Sequence, residues 1–381
     1  MAQPTCAFVA GEASGDLLAA GVIAELQRLA PGIQCGGVGG DRMIEVGFDA
    51  WAHVRELSVR GYVEVLRHLP RLLKLRRDLA HRLSAVPPSV FVGVDAPDFN
   101  LGLEEKLRAR GIRIVHFISP SIWAWRAERI DQIRRAVDRM LLVFPFEQAI
   151  YDAADVPATY VGHPLAGMIP MTPDAPAARA RLGLASDAPV VAVLPGSRPD
   201  EVKYLGPTFL AALELLHRRE PGIQYVLPVA DASLRALLEA MLAAHPALGS
   251  VISLVDRRSH DCLEAADTVL VASGTATLEA ALFKRPMVIA YRMPAMSAWL
   301  MRRKGRVPYV GLPNIMAGEF LVPELLQDAA TPAALAEALH AQLHDAPLRA
   351  RLEQRFAAMH VELKRDTAAL AAQAILDVAR Q

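Results

Sequence analysis

Short apolar runs rich in Val and Ile alternate with longer segments of helical period over most of the chain, and this rhythm limits the fold more than any other feature. A run that is apolar on both faces has to be covered on both faces. A helix between one such run and the next makes the strands parallel, because a parallel pair needs a crossover. The expectation is α/β, with parallel sheets lying between layers of helices. Strand candidates in the first half are Thr5–Val9, Ser89–Val94, Arg113–Ile118 and Met140–Phe144, followed by helical segments such as Leu17–Leu29 and Ala127–Val137. In the second half Pro189–Leu194, Gln224–Pro228, Val251–Leu254, Thr268–Ala272 and Met287–Ala290 repeat the pattern.

The chain's 381 residues exceed what one core organises, so two domains are expected. The rhythm breaks once, at His163–Ala177, where Pro164, Pro170, Pro173 and Pro176 exclude a continuing helix. Residues 166–180 then read as a linker between a first domain over 1–165 and a second over 181–335. Two doubly wound domains in tandem are expected to turn the C-terminal ends of their strands towards one cleft. After Thr331 the strands stop, and Pro332–Leu343, Leu348–Lys364 and Thr367–Ala379 read as helices with charges at helical spacing. This tail, residues 336–381, can cover either domain or cross to a second copy in a homodimer.

Hydrophobic residues make up 53% of the sequence, which excludes a disordered chain. Basic and acidic residues balance at 41 each, so the net charge gives no reason to bind nucleic acid. Cys6, Cys35 and Cys262 are far apart and form no CxxC pair, which points to a reducing compartment without a disulfide framework or zinc site. Met1–Cys6 carries no basic segment of a secretory signal, and no apolar stretch reaches the ~18–20 residues that span a bilayer. The expectation is a cytoplasmic protein, or one that rests on a membrane without crossing it.

Two turns in the second half suit a phosphate. In Leu194–Val202 (LPGSRPDEV), Gly196 permits a tight turn and close backbone approach, Ser197 can donate a hydrogen bond, and Arg198 can fork onto a diphosphate. A plain strand-to-helix turn with a surface arginine has the same appearance. Ala272–Glu279 (ASGTATLE) joins a strand to a helix running through Phe283, which puts Ser273, Gly274 and Thr275 at a helix N-terminus. Free N–H groups and the helix dipole favour an anion there, although capping alone explains the same residue types. Glu279, one turn further, can accept hydrogen bonds from a ribose diol or support the first turns. Two such turns in one half mark it as the nucleotide side.

In the first half, Val9–Asp16 (VAGEASGD) brings Glu12, Ser14 and Asp16 to the corner after the first strand, without G-x-G-x-x-G or a P-loop lysine. Gly36–Gly40 (GGVGG) reads as a flexible turn beside the cleft. Val90–Asn100 (VFVGVDAPDFN) ends a buried strand on Asp95, where open α/β sheets place ligands, and Asp98 is placed to cap the next helix. Asp95 as general base and Asp95 as a second cap stand level on these residues alone. Trp123 and Trp125, in Ser119–Arg126 (SPSIWAWR), either pack the loop or offer a stacking wall to a sugar or acyl chain. His116 and His163 are isolated and read as structural. With no HExxH, no carboxylate–histidine cluster and no G-x-S-x-G elbow, neither a protein-held metal nor an acyl-transfer nucleophile is expected, and no cofactor.

Gly61–Ala80 differs from the other helices. Val65, Leu66, Leu69, Leu72 and Leu73 form an apolar stripe, while Arg67, Arg71, Lys74, Arg76 and Arg77 make the remainder basic. Such a segment can lie on an anionic bilayer, or simply pack its stripe on the core with a solvated basic face. Pro70 is expected to bend or divide it.

In their order along the chain, Gly11–Asp16 (GEASGD), Val92–Asn100 (VGVDAPDFN), Ser119–Arg126 (SPSIWAWR), Phe144–Glu147 (FPFE), Leu194–Arg198 with Glu201 (LPGSR..E), Ala272–Glu279 (ASGTATLE) and Leu312–Gly318 (LPNIMAG) resemble the lipid-A-disaccharide synthases. These are glycosyltransferases of the GT-B type, with two Rossmann-like domains facing across a cleft. The similarity runs almost the full chain, and no departure removes a functional residue; Ala13 stands where some relatives carry a hydroxyl. The resemblance implies transfer of the sugar of UDP-2,3-diacylglucosamine to the 6-hydroxyl of 2,3-diacylglucosamine 1-phosphate. The products are a β-1,6-linked disaccharide and UDP, with inversion at the anomeric carbon. Carried over by motif, Asp95 would be the base, while Arg198, with Ser197 and the Ser273–Thr275 turn, would stabilise the departing diphosphate without a divalent metal. Glu279 would hold the ribose, Asn314 would position polar groups of donor or acceptor, and Glu12, Ser14 and Asp16 would border the sugar site. Both substrates carry acyl chains, which adds weight to Gly61–Ala80 as an acyl-binding surface or one that rests on the inner face of the cytoplasmic membrane.

Overall fold

A computed structural model describes residues 5–57, 62–293 and 307–381, with backbone alone at 62–67. The chain divides into two compact units, Met1–Gly167 with Leu363–Gln381, and Met168–Glu362. Each unit is built on one sheet whose pairings are all parallel.

In the first unit the strands are β1 (Thr5–Ala10), β2 (Gln34–Gly39), β3 (Asp49–His53), β4 (Val90–Val94), β5 (Ile114–Phe117), β6 (Arg139–Leu142) and β7 (Ala158–Tyr160). Their order is β3-β2-β1-β4-β5-β6-β7. The chain winds outwards from β1 in one direction, then crosses to β4 and winds the other way. The second unit repeats the plan with β8 (Val190–Leu194), β9 (Gln224–Val229), β10 (Ile252–Asp256), β11 (Thr268–Ala272), β12 (Met287–Tyr291) and β13 (Glu324–Leu326), ordered β10-β9-β8-β11-β12-β13. The central strands are buried along their whole length: VFVGV in β4, VVAVL in β8 and TVLVA in β11. Their Val and Leu side chains enter one core per unit, with Phe91, Leu107 and Ile114 in the first and Val191, Leu213 and Leu270 in the second.

Gly36–Gly40 is not the flexible turn its composition suggests. Gly36 to Gly39 belong to β2, which takes glycine because its neighbours approach closely. A Cβ on Gly37, at φ +143°, would lie 2.0 Å from the Phe8 carbonyl oxygen, and one on Gly36 would lie 3.0 Å from the Trp51 indole nitrogen. The pairing with β3 slips at Gly37/Val38, the irregularity that a strand glycine often marks. The Pro-rich stretch carries two short helices, Pro164–Met168 and Ala175–Leu182. Prolines sit in their first turns, where the missing N–H is an orphan in any case, and the Asp174 side chain accepts from Ala177 N at 3.0 Å. Pro70 does not divide its segment: Tyr62–Ala85 is one helix.

The tail forms helices Pro332–His344, Ala346–Leu363 and Thr367–Ala379. Thr331 Oγ1 caps the first of these by accepting from Ala334 N, and Leu335, Leu339 and Leu343 bury its stripe in the second core. Lys284, itself buried, ties the next helix down: its ammonium donates to Pro170 O and Leu282 O and to Nδ1 of His360 at 2.6 Å. The last helix packs in the first unit against Ala13–Leu29, burying Ala371, Ile375 and Leu376.

Candidate active site

In an open parallel sheet the strand order reverses at one point, and the loops leaving the two strands there diverge to open a crevice at their C-terminal ends. In the first unit those strands are β1 and β4, followed by GEASGD and DAPD. In the second they are β8 and β11, followed by LPGSR and SGTATLE. Four of the motifs thus sit at the two reversals.

At the first reversal, a Cβ on Gly11 would lie 2.2 Å from the Ala96 Cβ, so only glycine lets the two loops meet. Asp95 and Ala96 are both left-handed, with φ of +53° and +45°. Two such non-glycine residues in succession cost about 1–3 kcal/mol each and need surroundings that enforce them. Asn100 supplies part of this, its side-chain NH2 donating to Asp95 O at 2.8 Å and to Val9 O at 3.2 Å. The Asp95 side chain is half-buried and has no ion pair among the described residues. Asp98 is instead paired with Arg126, at 3.4 Å, and with Arg129. Glu12 and Ser14 are exposed at the same corner. Asp16 is not: it is buried, and its carboxylate accepts from the backbone N–H groups of Gly40, Arg42 and Met43 at 2.6, 3.1 and 3.2 Å. It caps the Asp41–Glu45 helix and shapes the corner from behind, rather than bordering a ligand.

The loop after β5 is strained as well, with Ile118 at φ +77° and Arg126 at +54°. A β-branched residue in this region is an outlier that packing has to hold. Glu147, buried and absent from the expected site, does so. It accepts from Phe144 N at 3.2 Å, with the Ser119 hydroxyl and the Trp123 indole beside it as further donors that favour its charged form. Burial pushes its carboxyl up to about 7 despite these donors. The Trp123 ring packs edge-on to Phe146 at 5.4 Å, while Trp125 is exposed with the Arg126 guanidinium 4.3 Å from its ring centroid. Trp123 therefore packs the loop, and Trp125 is the ring open to a ligand.

At the second reversal, Gly196 has φ +129°, and the Glu201 side chain occupies the space a Cβ would take. Glu201 accepts from Ser197 N at 3.1 Å and meets Arg198 at 3.4 Å, so it shapes the turn while Ser197 and Arg198 stay exposed. Across the reversal, Gly274 precedes the Thr275–Leu282 helix, and both Gly274 and Thr275 are exposed at its N-terminus. Ser273 Oγ donates to Val310 O at 3.0 Å and anchors the neighbouring segment. Burial raises the Glu279 carboxyl above its usual range, against the pull of His260 at 3.7 Å, a neighbour that the sequence motif does not reveal. Asn314 is fully buried, donates to Val322 O and Glu324, and accepts from Leu321 N and Val322 N. With all of its capacity used inside the protein, it positions the LPNIMAG segment rather than a substrate group. Glu324, accepting from Val310 N and Gly311 N, completes that brace.

On the Tyr62–Ala85 helix, Leu79 and Leu83 enter the core, whereas Leu69 and Leu73 are 40% and 45% exposed. Leu72 is partly buried, Arg71 pairs with Glu56, and Lys74 pairs with Asp78. The side chains of Val65 and Leu66 lie outside the described residues. One group among the described residues has metal-ligand chemistry: Glu220, His340 and His344. Both imidazoles approach one carboxylate oxygen at 2.8–2.9 Å, which is hydrogen-bond distance and closer than two ligands of one zinc ion stand. Glu220 follows the Pro199–Arg219 helix, ~30 Å along its axis from the Arg198 turn, and takes no part in that site.

Glu147 gives this half of the site a pH signature. Because its folded carboxyl is raised from 4.5 to about 7, the folded state holds the proton more tightly than the unfolded chain. Its contribution is complete at low pH and is lost as pH rises through that interval, with a slope of at most about 1.4 kcal/mol per pH unit. Between about pH 5 and about pH 8 the parent is expected to lose about 2 kcal/mol more than Glu147→Gln in denaturant titrations. Parallel curves for the two proteins would contradict the assignment.

A family model described as LpxB, lipid-A-disaccharide synthetase, matches residues 6–375. A lipid-A-disaccharide synthase of Paraburkholderia phytofirmans is 54% identical over 373 residues, covering 98% of this chain and 95% of its own. One from Bordetella parapertussis is 53% identical over 386 residues, covering 98% of each. Among solved structures, a putative UDP-N-acetylglucosamine 2-epimerase from Listeria monocytogenes superposes with a TM-score of 0.63 at 11% identity, covering 98% of this chain and 95% of that one. MurG of Acinetobacter baumannii does so with a TM-score of 0.58 at 12% identity, covering 99% and 100%. At such identities the structures establish a shared GT-B-like fold and nothing further. The sequence match, made over nearly the whole chain, places this protein in the lipid-A-disaccharide synthase family.

Proposed function

We propose that Asp95 and Arg198 are the catalytic pair of a glycosyl transfer. The family to which the chain belongs condenses UDP-diacylglucosamine with diacylglucosamine 1-phosphate in lipid A biosynthesis, the pathway to lipopolysaccharide. Asp95 takes the proton of the acceptor's 6-hydroxyl as that oxygen attacks the anomeric carbon. The bond from that carbon to the diphosphate breaks, UDP carries away the electron pair, and attack from the opposite face gives the inverted β-1,6 linkage. Arg198 and the N–H groups at the Gly274–Thr275 helix start meet the negative charge that grows on the diphosphate, while Glu279 accepts from the ribose hydroxyls. Ser197 adds a donor beside Arg198. Glu12 and Ser14 border the acceptor sugar. No step calls for a bound metal, because a guanidinium and a helix N-terminus supply the positive charge.

The observation that carries this reading is the contrast between the two aspartates. Asp98 is neutralised by Arg126 and Arg129, whereas Asp95, held left-handed at the end of β4, keeps a carboxylate free of ion pairs among the described residues. Asp95→Asn is expected to lower turnover by about a hundredfold or more while UDP affinity, read by calorimetry, stays within about twofold. Retained turnover would contradict the assignment.

The acyl chains of both substrates belong in a membrane, and the Tyr62–Ala85 helix suits the cytoplasmic face of the inner membrane. Leu69 and Leu73 are exposed on the same stretch as Arg71 and Lys74, and no described helix is long and apolar enough to cross a membrane. Apolar side chains beside cations favour an anionic bilayer surface. A homodimer exchanging the last helix would reuse the pocket of Ile375 and Leu376. Replacing Leu69 and Leu73 together by Ser is expected to weaken partition onto vesicles containing anionic lipid by about fivefold or more, with turnover of detergent-dispersed substrate unchanged. Unchanged partition would reject this face.

A further inference from the structure

Beneath the end of β4 lies a cluster of buried polar side chains that the catalytic steps above do not use. Gly93 is in register with His116 of β5, and registered neighbours share a face of the sheet. On that face a Cβ at Gly93 would lie 1.9 Å from Glu104 Oε1, so the absence of a side chain is what admits the carboxylate. Glu104 reaches in from the Pro97–Arg108 helix and meets His116 Nδ1 at 2.7 Å, both side chains being fully buried. One turn earlier on the same helix, Asn100 is also fully buried and donates to Asp95 O. The helix is therefore tied to the end of β4 through Asn100 and to the neighbouring β5 through Glu104.

Such a cluster is unfavourable as mere core. Among the described residues, Asn100 Oδ1, Glu104 Oε2 and His116 Nε2 are buried without a hydrogen-bond partner. A buried ion pair is often matched or bettered in stability by apolar residues of similar volume. Burial, the largest single influence, lowers the His116 imidazole, but the charge and hydrogen bond of Glu104, with smaller contributions from the Asp95 charge and the Ile118 backbone, together outweigh it, so its proton is held more firmly than usual.

We propose that Glu104 and His116 form one buried positioning unit for Asp95, an ion pair seated in the space left by Gly93 that holds the left-handed end of β4 where the carboxylate reaches the acceptor hydroxyl. This rests on Asp95 being the base. Neither residue touches substrate; the pair acts through the backbone and charge of Asp95.

The test uses the full chain and steady-state kinetics. Glu104→Gln preserves volume and a hydrogen bond to His116, and is expected to lower kcat by about tenfold or more, with KM for both substrates and UDP affinity within about twofold. Combining it with Asp95→Asn should cost the residual rate nothing more, because the two act as one unit. Replacing the pair by Glu104→Leu with His116→Phe is expected to leave the melting temperature equal or higher while kcat falls to the same extent. Should that double variant fail to fold, Glu104→Gln alone decides. A normal kcat in Glu104→Gln, or a further loss of equal size in the Asp95→Asn background, would overturn the positioning role. If Asp95→Asn itself keeps its turnover, the base assignment falls first, and the role proposed for the pair falls with it.

Discussion

Two reversals of strand order, between β1 and β4 and between β8 and β11, govern where this chain can do chemistry. A parallel sheet covered by helices on both faces leaves only its strand ends open, and among these only the reversal separates the flanking loops enough to admit a ligand. The sequence places its small residues accordingly. Gly11 lets the β1 and β4 loops meet, and Gly196 lets Glu201 fold under the Arg198 turn. The exposed groups Glu12, Ser14, Ser197, Arg198 and Thr275, and the half-buried Asp95, are available at these points because the topology leaves them there.

Near several of the open groups a carboxylate turns towards the backbone and sets the local geometry. The buried Asp16 and Glu147 and the partly buried Glu201 and Glu324 accept backbone N–H groups, Asp16 from the start of the Asp41–Glu45 helix and the others from within or beside the motif loops. A carboxylate that satisfies several backbone donors fixes a loop more tightly than apolar packing does, since each hydrogen bond is directional and costly to break inside the protein. The left-handed pair Asp95 and Ala96 is held in its own way, by the Asn100 amide donating to Asp95 O. Strain persists only where the surroundings over-determine it.

Much of this was legible in the residues, and the failures share a cause. Strands made of Val and Ile, such as VVAVL and TVLVA, announce themselves, whereas QCGGVG, DAWAH, ATY and ELL do not. Those four depend on neighbours for their pairing, and β2 uses glycine because Phe8 and Trp51 crowd it. Four of the motifs fall at the strand reversals but do not tell which way each side chain faces. Asp16 and Asn314 belong to the motifs and yet turn inwards, because backbone groups outside their motifs claim them, Met43 for Asp16 and Val322 for Asn314. His116 looked isolated since its partner, Glu104, comes from the preceding helix, although a carboxylate on the core-facing side of Leu101 and Leu107 is itself a signal.

In the proposed reaction the second unit grips a uridine diphosphate through the two turns at its strand reversal. A crystal structure of the protein with UDP bound tests it most directly. The diphosphate is expected against the Arg198 guanidinium and the backbone N–H groups of Gly274 and Thr275, with the ribose hydroxyls on the Glu279 carboxylate. A nucleotide seated elsewhere, with Arg198 and Glu279 both untouched, would contradict it.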